Sequence, residues 1–222
     1  MKNIETPIIE TPMMLDNVSI TPYQSIKFAL SLFLLLSALI IISAGAIHID
    51  IRYFNDNIGE NSLTEYLQQA YLFTTAVLFA LLCIRHPKNR GFYVLVSSFF
   101  CVLLIRELDA FFDLISHGFW VYPAALVAVF AIFYAVLNVK TTIEPLGAYI
   151  KHNSFGLMLG AMVTLLIFSR LFGMGDLWHG ALHDSYARIV KNCVEEGVEL
   201  LAYSLILFSA GWYYFSETRK SH

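Results

Sequence analysis

Five residues with acid, base or charge chemistry, Arg106, Glu107, Asp109, Asp113 and His117, fall at the end of an apolar run where a membrane helix should still be in progress. At 100° per residue, Arg106, Asp109, Asp113 and His117 share one side of a continuous helix, with Glu107 on the flank. Burying such groups in a bilayer costs several kcal/mol unless they pair, bind an ion or line water. Two further pairs have the same i, i+4 spacing: His179 with His183, and Glu195 with Glu199. Each such pair can offer two donors to one ion. Carboxylates and imidazoles suit Zn, Fe or Mn, and no cysteine accompanies them, which argues against an iron–sulfur or structural zinc site.

The chemistry expected of this set is that of a divalent transition metal held by Asp113, His117, His179, His183 and Glu65. Glu107 or Glu199 would act as general base on bound water, and Arg106 would stabilise developing negative charge. Structural readings stand beside each role. Arg106 paired with Asp109 or Asp113 would fix helix packing, and His179 and His183 would suit an interfacial helix anchored by Trp178. Glu195 and Glu196 would sit comfortably at a helix N-terminus.

The elements that must position these groups follow from composition. A chain of 222 residues that is 58% hydrophobic, with 18 Phe and 12 Tyr, carries more apolar surface than a water-soluble domain of its size can hide. Hydropathy predicts an all-α, polytopic integral membrane protein. Its six transmembrane helices run near 26–47, 63–84, from 92 through the charged motif, 119–137, 155–172 and 194–215. Residues 1–24, with three Thr-Pro steps, read as a disordered cytoplasmic tail, 25–216 as the six-helix domain and 217–222 as a second cytoplasmic tail. The first apolar run follows an acidic leader and is read as a span rather than a signal peptide. Ser62 or Thr64 is placed to cap the second span. Gly156, Gly160 and Thr164 give the fifth span a face of small residues.

Nine of the 14 Lys and Arg residues fall on the side of the termini and five on the other, which predicts both termini inside. The expected location is the bacterial inner (plasma) membrane. The alternating spans then bring Glu65, the Arg106–His117 stripe, His179, His183, Glu195 and Glu199 to one outer face. Arg106 would lie about 21 Å along its helix and Asp113 about 31 Å. Scattered basic residues and a net charge of −3 offer nothing to nucleic acid. Cys83, Cys101 and Cys193 fit no disulfide or zinc spacing.

The layout of outward acids and histidines resembles the general plan of membrane-embedded metal hydrolases such as the alkaline ceramidase and adiponectin-receptor group. The likeness rests on Asp113, His117, His179 and His183, and it implies a metal-dependent hydrolase whose partner is a membrane lipid or lipid-linked molecule. Two other classes are open. An ion- or proton-coupled transporter would need a polar path inward, for which Thr75, Ser98 and Thr164 are the candidates. A non-catalytic assembly partner would use the Gly156 face against other membrane helices or a second copy of itself.

Overall fold

The computed structural model describes residues 22–54, 62–183 and 188–220. With 91% helix and no strand among the described residues, the all-α expectation is met. The elements are α1 (Pro22–Ile49), α2 (Leu63–Arg85), α3 (Arg90–Glu107), α4 (Asp109–Asp113), α5 (Val121–Leu137), α6 (Val139–Ile150), α7 (Phe155–Val163), α8 (Ser169–Phe172), α9 (Gly175–Leu182) and α10 (Arg188–Lys220). A π-helical turn, Asp50–Phe54, extends α1, a 3-10 turn, Pro87–Asn89, precedes α3, and a second π-helical turn, Thr164–Phe168, joins α7 to α8.

Four helical segments are long and apolar enough to cross a membrane: Pro22–Arg52, Leu63–Arg85, Pro87–Glu107 and Phe155–Phe172. A fifth is gained if α5 and α6, bent by 98° at Asn138, count as one broken span. The bend replaces the irregular connection expected after residue 137. Asn138 leaves helical geometry at φ −121° and ψ 46°, and its carbonyl accepts the hydroxyls of Thr141 and Thr142 at 3.0 Å each. α6 then lies against the start of α3. A Cβ on Gly91 would collide with the hydroxyls of Thr142 and Thr141, so glycine is what permits that approach.

The chain divides into two compact units after Leu35. The described part of the first is the opening of α1, with Phe28, Leu30, Phe33 and Leu34 exposed. Within it the Lys27 ammonium sits 4.5 Å above the Tyr23 ring. The tail expected over residues 1–24 falls outside the described residues as far as residue 21, and 22–24 are helical.

In the second unit α10 packs on α2, α7 and α8, while α3 packs on α2 and α5 on α3. Between membrane helices there is little hydrophobic driving force, so fit and hydrogen bonds must hold them. Phe79 of α2 supplies the fit, its ring stacked against Tyr213 at 6.1 Å and edge-on to Phe92 at 6.4 Å. Such aromatic pairs contribute about 0.5–1.5 kcal/mol each. The hydrogen bonds come from Ser43, which meets Ser204 of α10 at 2.7 Å and Tyr71 of α2 at 3.2 Å. α10 itself lies outside the set of apolar spans. It runs from Arg188 to Lys220, beyond both ends of the span expected over 194–215.

Candidate functional site: an acidic cavity at one end of the bundle

The start of α2 is fixed twice. Ser62 accepts the Glu65 N–H at 3.2 Å, as its position suggested, and the buried Asp50 accepts the N–H groups of Leu63 and Thr64 at 2.9 and 2.7 Å. Unsatisfied N–H groups at a helix start attract such carboxylates. The rigid first turns present Glu65, Gln68 and Gln69. Gln69 donates to Glu65 Oε1 and to the Glu107 carbonyl, both at 3.3 Å, tying α2 to the end of α3. Gln68 reaches across to α10 and donates to Glu196 Oε2 at 2.9 Å.

α3 ends at Glu107, which corrects the continuous stripe expected from Arg106 to His117. Leu108 breaks the helix at φ −98° and ψ 20°. The carboxylate of Asp109 then takes the Ala110 N–H at 2.7 Å, and Asp113 takes the Gly118 N–H and the His117 ring nitrogen at 2.8 Å each. Short acidic side chains compete with the helix for backbone donors, and here they win. Gly118, at φ 76°, closes the turn. The Gly118 N–H, and after it the His117 ring, hold the Asp113 carboxyl below its ordinary range. Asp113, at the end of α4, and His117, in the turn after it, are thereby spent on each other at an exposed position.

Arg106 and Glu107 stay with the bundle. Their charges meet at 3.2 Å, and Glu107 Oε1 also accepts the hydroxyl of the buried Tyr203 at 2.8 Å. From the opposite wall, Arg170 of α8 pairs with Glu199 Oε1 at 2.9 Å and with Glu195 Oε1 at 3.8 Å, and Ser169 donates to Glu199 Oε1 at 3.2 Å. The π-helical turn before α8 inserts one extra residue, which rotates everything after it and sets the facing of Ser169 and Arg170. Lys191 holds the other oxygen of Glu195 at 3.1 Å. The Glu195 carboxylate occupies the space where a side chain on Gly173 would be, so any larger residue there must displace that carboxylate.

These groups surround a cavity of about 330 Å³. Its acids are Glu65, Glu107, Asp109, Glu195, Glu196 and Glu199, and its cations are Arg106 and Arg170. The sequence-level convergence of Glu65, Arg106, Glu107 and Glu199 is present. Glu107, placed on the flank by helical phase, is one of the innermost groups, its side chain 10% exposed.

The four remaining expected metal ligands, Asp113, His117, His179 and His183, do not line the cavity. His179 lies on α9, which is pinned to α8 by the Trp178 indole donating to the Phe172 carbonyl at 2.6 Å. α9 stops at His183, whose φ of 47° supplies the break that no Gly or Pro announces between Gly180 and Gly197. Among the described residues no three His, Cys, Asp or Glu side chains stand as a metal site.

Sequence reading missed Arg170, Glu196, Gln68 and Tyr203. An arginine in the last turn of an apolar span needs a partner, and that signal pointed to Arg170. Nothing distinguishes Tyr203 from a core aromatic until Glu107 is seen beside it. His86 and His152 are half-buried. The three cysteines are free. Comparison with protein families, with characterised proteins and with solved structures finds no match.

Proposed function

We propose that this chain is a six-span integral membrane protein, α10 being the sixth span, with both termini on the cytoplasmic side. Its acidic cavity accepts the positively charged head of a lipid or lipid-linked substrate and acts on it by acid–base catalysis. The observation that carries this reading is the cavity's charge: six carboxylates face two guanidiniums, a formal excess of four negative charges. An excess of that size lining a cleft recruits cations. Glu107 and Glu199 flank the same turn of α10, Tyr203 being four residues beyond Glu199, and they form the working pair. One is the general base on water and the other the general acid, a division that two carboxylates in unlike surroundings can sustain. Arg106 and Arg170 hold the pair in place and face charge that develops in the substrate.

The test is equilibrium binding by the full chain in lipid nanodiscs, using short-chain lipids with an amine, a neutral or an anionic head. The amine head should bind at least tenfold more tightly than the others, and Glu107→Gln or Glu199→Gln should remove that preference. Equal binding of all three heads would overturn the reading.

A proton-coupled role is the second reading, favoured by one observation. Below the cavity lie the buried hydroxyls of Ser43, Tyr71 and Ser204, and beside them on α2 the fully buried Thr75 hydroxyl has no partner among the described residues. Buried polar groups inside a membrane bundle mark ion or proton paths. Acid-driven uptake of protons into liposomes containing the protein, abolished by Ser204→Ala, would select it over the enzyme.

A further inference from the structure

The opposite end of the bundle holds a second cavity, of about 230 Å³, roofed by Pro145 and Ala148 of α6 and floored by Tyr213 of α10. Its polar rim is Asn89, Lys151, His152, Glu217 and Lys220. Basic residues dominate the surroundings as well. Arg85 and Arg90 flank the 3-10 turn and Lys88 lies within it, with the Arg85 guanidinium 5.3 Å from the Tyr214 ring, and Arg219 adjoins Lys220. The charge is thus opposite to that of the acidic cavity.

Two features separate this cavity from a solvated patch of lysines. Lys151 has no acidic partner among the described residues, although Glu217 is at hand, because Glu217 Oε1 is taken by Lys220 at 2.6 Å. His152 is engaged at both ring nitrogens. Its Nδ1 accepts the Ser154 N–H at 3.2 Å, which leaves the proton on Nε2 to be donated to Ser216 at 3.1 Å. Burial first, and then the Lys220 ammonium, push its pKa below the ordinary histidine value. The pocket's cationic character rests on the two ammonium groups, Lys151 and Lys220.

We propose that this cavity binds a phosphate-bearing anion through Lys151, Lys220 and the Asn89 amide. Ammonium groups act as point charges toward phosphate, and basic pockets between membrane helices hold anionic head groups. The volume suits a head group rather than a whole lipid. Glu217 competes for Lys220, so an arriving anion displaces the Lys220–Glu217 pair. The site shares no lining residue with the acidic cavity and stands independently of the function proposed for it.

The test is titration of detergent-solubilised full-length protein with dihexanoyl-phosphatidylglycerol, dihexanoyl-phosphatidylcholine and inorganic phosphate. The anionic lipid should bind at least tenfold more tightly than the zwitterionic one. Lys151→Gln should weaken it about tenfold, Lys151→Arg should restore it, and Glu217→Gln should tighten it by freeing Lys220. Inorganic phosphate competing at equal affinity would assign the site to free phosphate, and failure to compete would assign it to the lipid. Equal affinity for both lipids with no phosphate binding, or an affinity that neither Lys151→Gln nor Glu217→Gln changes, would overturn the proposal. Opposite effects of the two variants cannot arise from misfolding alone.

Discussion

The hydroxyl of Tyr203 donates to Glu107 Oε1 at 2.8 Å, joining the last residue of α3 to the middle of α10 beneath the acidic cavity. Without it a carboxylate whose side chain is 10% exposed would rely on Arg106 alone. Tyr203→Phe keeps the ring's packing and removes only the donor. Hydrogen bonds to charged groups contribute about 1.5–3 kcal/mol, so a loss of that order is expected in thermal or denaturant unfolding in detergent. A variant as stable as the parent would show that Glu107 is held by other means.

Arg170 and Glu199 give an asymmetric prediction. The Glu199 side chain is 5% exposed and that of Arg170 47%, so removing the arginine strands the buried partner. Arg170→Gln should cost about 3 kcal/mol, the low end for breaking a buried pair because the guanidinium is half in solvent. Adding Glu199→Gln should recover most of it, as measured in a double-mutant cycle.

Gly173 is predicted to matter through Glu195. Gly173→Ala places a methyl where the Glu195 carboxylate lies and should push that carboxylate away from Lys191 and Arg170. Unfolding midpoints should fall for Gly173→Ala and recover in Gly173→Ala with Glu195→Ala. Failure of the second change to rescue would place the strain in the backbone instead.

The pH dependence of stability should carry a contribution from His152. Its folded pKa is depressed below the ordinary 6.5, so between the two values the unfolded chain binds more protons. Stability from this group is fully present above about pH 6.5 and is lost as pH falls through the folded value. Melting curves of the parent and His152→Gln between pH 5 and 8 should diverge at the acid end, with the parent losing more.

Metal analysis tests the arrangement of the histidines. Asp113 and His117 pair at one exposed position and His183 ends α9, and none of them lines the acidic cavity. Asp113→Ala and His183→Ala should therefore not both strip a transition metal from the purified protein. Joint loss of one metal would show that a single ion unites the two segments.

What the sequence determined by itself is four helices long and apolar enough to cross a membrane, and the sharing of one end by Glu65, Arg106, Glu107 and Glu199. The helices follow from a short-range rule, hydropathy over a window, and the shared end was expected from reading the spans as alternating. Ser62 at the start of α2 was legible for the same reason, because a cap acts on its own helix.

Tertiary structure decided which charged groups face inward. Helical phase put Asp113 and His117 on the inner side, but the phase was lost at Leu108, where competition between side-chain and backbone acceptors is settled by a few tenths of a kcal/mol per residue. Arg170 reached Glu199 only after a π-helical turn shifted its direction, and Tyr203 became part of the site only because α3 ends beside it. Local pattern cannot record such partners, since each is chosen by what another helix, up to about a hundred residues away in the chain, brings within hydrogen-bonding distance.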